Sequence, residues 1–79
     1  MIRYRLRELL AQKSFDEDRR VTLDEVAEQT GISRNTLSRI SNTRGYNTTT
    51  DAIDRLCDFF NCGVADVMEH IKVTDEKAG

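Results

Sequence analysis

Apolar residues recur at helical spacing in five stretches of this chain, each bounded by residues that start or stop helices. Ile2, Leu6, Leu9 and Leu10 fall at i, i+4, i+7 and i+8, with Arg3, Arg7 and Glu8 off that stripe, which predicts a first helix from about residue 2 to 13. Thr22-Leu23-Asp24-Glu25 has the Thr-x-x-Glu form of a capping box, so a second helix starts there, buries Leu23, Val26 and Ala27, and stops at Gly31. Ser33 is placed to cap a third helix anchored by Leu37 and Ile40, and Thr48 or Thr49 to cap a fourth that carries Ile53, Leu56, Cys57 and Phe60 on one side. Past the break at Asn61-Cys62-Gly63, the spacing of Val64, Val67, Met68 and Ile71 predicts a fifth. Ser14 to Arg20 reads as a polar connection whose one apolar residue, Phe15, is expected to plug the core, and Ser41 to Thr48 as an irregular loop. No stretch sustains the alternation of a strand. The expected fold class is all-α: five short helices around one core, with the tail from Val73 to Gly79 frayed.

The 79 residues leave room for one domain, and 38% hydrophobic with 33% charged residues is the balance of a globular protein rather than a disordered or fibrous one. No apolar run reaches the roughly 18 residues of a membrane span, and the start of the chain lacks the layout of a secretory leader, so a cytoplasmic location without a membrane partner is expected. Cys57 and Cys62 do not form a CxxC pair and are too few for a disulfide scaffold; Cys57 is expected to fill the core. With His70 they lack the paired spacing of a zinc site, so no metal or cofactor is expected. His70 is also the only imidazole, and no nucleophile pattern or phosphate-binding glycine loop surrounds it, which leaves an enzyme reading without support.

Charge is distributed unevenly. Residues 1 to 30 carry six basic and seven acidic side chains, residues 31 to 50 carry Arg34, Arg39 and Arg44 with no acid, and residues 51 to 79 carry three basic and seven acidic ones, for a net charge of −2. The acid-free block coincides with the most informative segment. From Thr22 to Ile40 a short capped helix, a tight turn at Thr30-Gly31-Ile32 and a second helix with a polar outer face follow helix-turn-helix logic, with the small Ala27 allowing the two helices to cross closely. The outward set Ser33, Arg34, Asn35, Thr36, Ser38 and Arg39 suits the major groove of DNA, where Arg pairs with guanine and Asn with adenine. Ser33, at the start of its helix, is suited to a phosphate, as are Arg44, Tyr46, Asn47 and Thr48 to Thr50. The plainer alternatives are a solvated helix face for the arginines and a packed loop residue for Tyr46.

The run Thr30-Gly31-Ile32-Ser33-Arg34-Asn35-Thr36-Leu37-Ser38-Arg39-Ile40, with Ala27 before it and Asp54-Arg55-Leu56-Cys57 after, resembles the Cro and phage-repressor (xenobiotic response element) family of DNA-binding domains over about residues 2 to 71. The resemblance implies a lambda-repressor-like helix-turn-helix domain over 2–71 and a flexible tail over 72–79. It implies base contacts from Arg34, Asn35, Ser38 and Arg39, and phosphate contacts from Ser33, Thr36, Arg44, Tyr46, Asn47, Thr48 and Thr49. The chain differs in a longer connection from Ser14 to Val21, in Leu23 where many relatives place a polar residue, and in a long loop after Ile40. The expected function is sequence-specific binding of double-stranded DNA by a small transcriptional regulator, a repressor that reads a palindromic operator as a homodimer. Its dimer contact is expected along Val64, Val67, Met68 and Ile71, and the acidic last block predicts modest non-specific affinity. That same block motivates the rival, a protein-interaction or antitoxin-like accessory module with a protein partner.

Overall fold

The computed structural model describes residues 1–72, in the order β1 (Ile2–Tyr4), α1 (Leu6–Glu17), α2 (Leu23–Thr30), α3 (Arg34–Asn42), α4 (Thr50–Phe60), α5 (Val64–Val67) and β2 (Met68–His70). The expected five helices are present. The tail expected to fray, Val73 to Gly79, lies outside the described residues.

Local chemistry sets most boundaries where the sequence signals stood. The Ser33 and Thr49 hydroxyls accept the backbone N–H groups of Thr36 and Ala52, both at 3.1 Å, and so begin α3 and α4. Thr22 accepts the N–H of Glu25 at 3.2 Å, but only this half of the capping box forms. The Glu25 carboxylate turns instead to Arg19, which grips it with two hydrogen bonds of 2.7 Å. Gly31 ends α2 at φ +79°, in the left-handed region that costs glycine little.

The first and fifth helices differ from expectation, for one shared reason. Ile2–Tyr4 is a strand that pairs antiparallel with Met68–His70, in the register Ile2 to His70, Arg3 to Glu69 and Tyr4 to Met68. Arg3 reaches Glu69 at 3.0 Å, Arg5 also pairs with Glu69, and the Arg5 N–H donates to the Val67 carbonyl at 2.7 Å. Ile2 therefore leaves the predicted stripe of α1, and Met68 and Ile71 leave that of α5, which stops at Val67. At its other end α1 runs through Ser14 to Glu17, and Phe15 is 82% exposed rather than a core plug. Val21 takes that place. It is buried, and the Ser14 hydroxyl accepts its N–H at 2.9 Å, so the connection after α1 is drawn inward there.

Each helix contributes one residue with no exposed surface: Leu6, Val26, Leu37, Leu56 and Val67. Val21, Ile32, Ile40, Ala52 and Ile53 complete the core, and each large aliphatic side chain among them contributes about 1.5–3 kcal/mol by leaving water. Val67 is consequently core and not free for a dimer contact, whereas Val64 is 56% exposed. No described helix is long and apolar enough to cross a membrane.

Candidate nucleic-acid interface

α2 and α3 are joined by three residues, and α4 fixes how they meet. Arg55 of α4 pairs with Asp51 one turn earlier at 3.0 Å and donates to the Thr30 carbonyl at 2.9 Å, which holds the end of α2. A Cβ on Gly31 would sit 2.9 Å from the same guanidinium, so the turn needs glycine for space as well as for its φ. Thr30 is buried; its hydroxyl donates to the Val26 carbonyl at 2.7 Å and accepts the Ile32 N–H at 3.2 Å, so both polar groups of the turn are satisfied. With Ile32, Leu37 and Ile40 buried beneath it, α3 has one orientation available, and Arg34, Asn35 and Arg39 stand exposed.

The remaining predicted site residues divide into two groups. Ser33, Thr36, Tyr46, Asn47, Thr48 and Thr49 line one cleft of about 380 Å³, where the N-termini of α3 and α4 come together. Within it Ser33 donates to the Thr36 hydroxyl at 2.9 Å, and Tyr46 is half-buried with its carbonyl accepting from the Tyr4 hydroxyl at 2.6 Å. Arg44 is not in that cleft. It borders a separate depression with Arg3, Arg7 and Asn42, on the side of α3 that meets α1. Ser38 is half-buried and accepts from Asn42 at 3.3 Å, while Asn42 in turn accepts from Arg7.

The tertiary structure also brings acid to a face that is acid-free in sequence. Asp24, from the first turn of α2, lies 3.2 Å from the Arg34 guanidinium, and Asp51 borders the cleft of Ser33 and Thr49. Among the described residues Arg39 and Arg44 make no ion pair. The sequence assigns no site role to Arg7, Asn42 or Arg55, although Arg55 stands in the run that carries the resemblance, because their roles depend on contacts from α1 to α3 and from α4 to α2.

The family model of the Cro/C1-type HTH DNA-binding domain matches residues 5–73. No curated protein matches the chain.

Proposed function

Because the chain belongs to the Cro/C1-type helix-turn-helix DNA-binding family, we propose that it is a sequence-specific binder of double-stranded DNA that regulates transcription, as a repressor bound in two copies to a palindromic operator. The observation that carries this reading is the outer face of α3: Arg34, Asn35 and Arg39 are exposed on a helix whose other side is locked into the core. In the major groove Arg34 and Arg39 pair with guanine O6 and N7, Asn35 pairs with adenine N6 and N7, and Ser38 contacts a base edge beside them. Ser33, Thr36, Tyr46, Asn47, Thr48 and Thr49 receive the phosphate backbone in their shared cleft, helped by the free N–H groups at two helix starts. Arg44 contacts phosphate on the other flank of α3. A dimer reads half-sites about 34 Å apart, one helical turn of DNA. The exposed Val64 and half-buried Met68 and Ile71 are what remains of the predicted dimer stripe.

The test is selection from a random duplex library at moderate salt with the wild type and an Arg34→Ala, Asn35→Ala double variant. Enrichment of a palindrome by the wild type alone supports the reading. Enrichment of the same sequence by both proteins removes those residues from base recognition, and enrichment by neither favours the protein-interaction module.

A further inference from the structure

α4 ends in a cap that brings the two cysteines together. The Cys62 N–H donates to the Cys57 carbonyl at 3.0 Å and the Asn61 N–H to the Asp58 carbonyl at 3.3 Å, with Asn61 at φ +53°. These two bonds make a Schellman arrangement, which sets the side chains of its first and last residues against each other, usually as an apolar contact. Here both are thiols. They are free and half-buried, at the first and last positions of that cap. They are not sealed off, because with Tyr4, Ile53, Val64 and Met68 they line a cleft of about 500 Å³ that opens to solvent.

We propose that Cys57 and Cys62 form a redox-active pair that closes to an intrachain disulfide by exchange with a small disulfide of the glutathione type. A disulfide requires Cα atoms within about 4.4–6.8 Å, and the hydrogen bond from Cys62 back to Cys57 draws the two backbones together before any oxidation. The Cys57 thiolate attacks one sulfur of the small disulfide and expels a thiolate, leaving a mixed disulfide on Cys57. The deprotonated Cys62 sulfur then attacks the Cys57 sulfur and expels the second small thiolate. Two protein thiols are oxidised, one small disulfide is reduced to two thiols, and the two protons released neutralise the leaving groups. Burial pushes both thiols up from their ordinary value, and the Asp54, Asp58 and Asp66 carboxylates add to this at Cys57. Fewer thiolates at neutral pH make slow equilibration with a disulfide pool a better match than rapid capture of peroxide.

The full chain is equilibrated without air in buffers of graded reduced and oxidised glutathione, quenched by acid and alkylation, and read by intact mass and peptide mapping. Wild type, Cys57→Ser and Cys62→Ser are compared, with wild type in denaturing urea as reference. The folded wild type is expected to pass to one species lighter by two hydrogens, with Cys57 and Cys62 cross-linked, while each variant stops at a single glutathione adduct. Half-oxidation of the folded chain should need at least about tenfold less oxidised glutathione than the urea-unfolded chain, because the cap raises the effective concentration of one thiol at the other. Glutathione adducts on the folded wild type without a cross-link would overturn the proposal. So would equal oxidation of the folded and unfolded chains, since the cap would then contribute nothing.

Discussion

Gly31 combines two demands that one substitution separates from the rest of the fold. Its φ of +79° disfavours any side chain, and the nearest atom to an added Cβ is the Arg55 guanidinium that holds the Thr30 carbonyl. Gly31→Ala is expected to cost about 1–2 kcal/mol of stability, from left-handed strain plus displacement of that contact. Urea unfolding measures it, and an unchanged midpoint would mean that the turn relaxes without loss. Gly31 was legible in the sequence because its role is local, whereas Arg55 was not, since its partner lies 25 residues away. The same contrast applies to Arg34. The sequence places it in an acid-free block, but folding sets Asp24 beside it at 3.2 Å. If Arg34 contacts DNA, it must exchange Asp24 for a base edge, and Asp24→Asn should tighten binding to the selected site by up to about fivefold, the scale of one exposed ion pair. Fluorescence anisotropy titrations at low salt would show it, and equal or weaker binding by the variant would place Arg34 outside the contact.

Among the elements, α3 and α4 begin where their own residues dictate. The starts of α3 and α4 follow from Ser33 and Thr49, whose hydroxyls accept N–H groups three residues on. Thr49→Ala should therefore lower stability by about 1 kcal/mol and Thr49→Ser should change it little, since serine keeps the acceptor. Chemical denaturation of both variants checks the pair, and equal losses would assign the effect to packing of the threonine methyl rather than to the cap. The ends of α1 and α5 followed a different rule. Ile2 and Met68 have helical spacing within their own stretches, yet each pairs with the opposite end of the chain, and the strand hydrogen bonds outcompete the extra helical turns. Local periodicity carries no information about partners as distant in sequence as His70 is from Ile2 or Tyr4 from Met68. Phe15 shows the limit from the other side: an apolar residue in a polar stretch was expected inside, but α1 continues through it and Val21 fills the core.

At the scale of the whole molecule, ion pairs join Arg3 and Arg5 to Glu69 and brace the α1–α2 connection, which predicts a stability that depends on acid. The Arg19 guanidinium holds the Glu25 carboxyl below its usual value, and Lys13 followed by Arg19 does the same for Glu17. At the ribbon, Arg3 lowers Glu8, and Arg5 followed by Arg3 lowers Glu69. A carboxylate depressed in the folded state adds stability above its unfolded value and loses it as pH falls through the folded one. The melting midpoint is expected to be flat above about pH 5 and to fall steadily below it, with a smaller fall in 1 M salt, roughly the concentration at which the screening length shrinks to 3 Å. Thermal scans across pH at two salt concentrations test this, and a midpoint unchanged between about pH 5 and pH 3 would show that these pairs contribute nothing measurable.

The sequence by itself determined five helices, the glycine turn between α2 and α3, the caps of α3 and α4, and that Arg34, Asn35 and Arg39 lie on the exposed side of α3. Each of these rests on interactions within about four residues, where spacing and residue type suffice. Only the tertiary structure decided that residues near the two chain ends form a ribbon, that Arg55 fastens the turn, and that Asp24 and Asp51 border an acid-free stretch. It also decided that Arg44 stands apart from the cleft shared by Ser33 and Thr49. These are pairings between distant residues, and which distant groups meet is set by how the five helices close over Leu6, Val26, Leu37, Leu56 and Val67, not by any one segment.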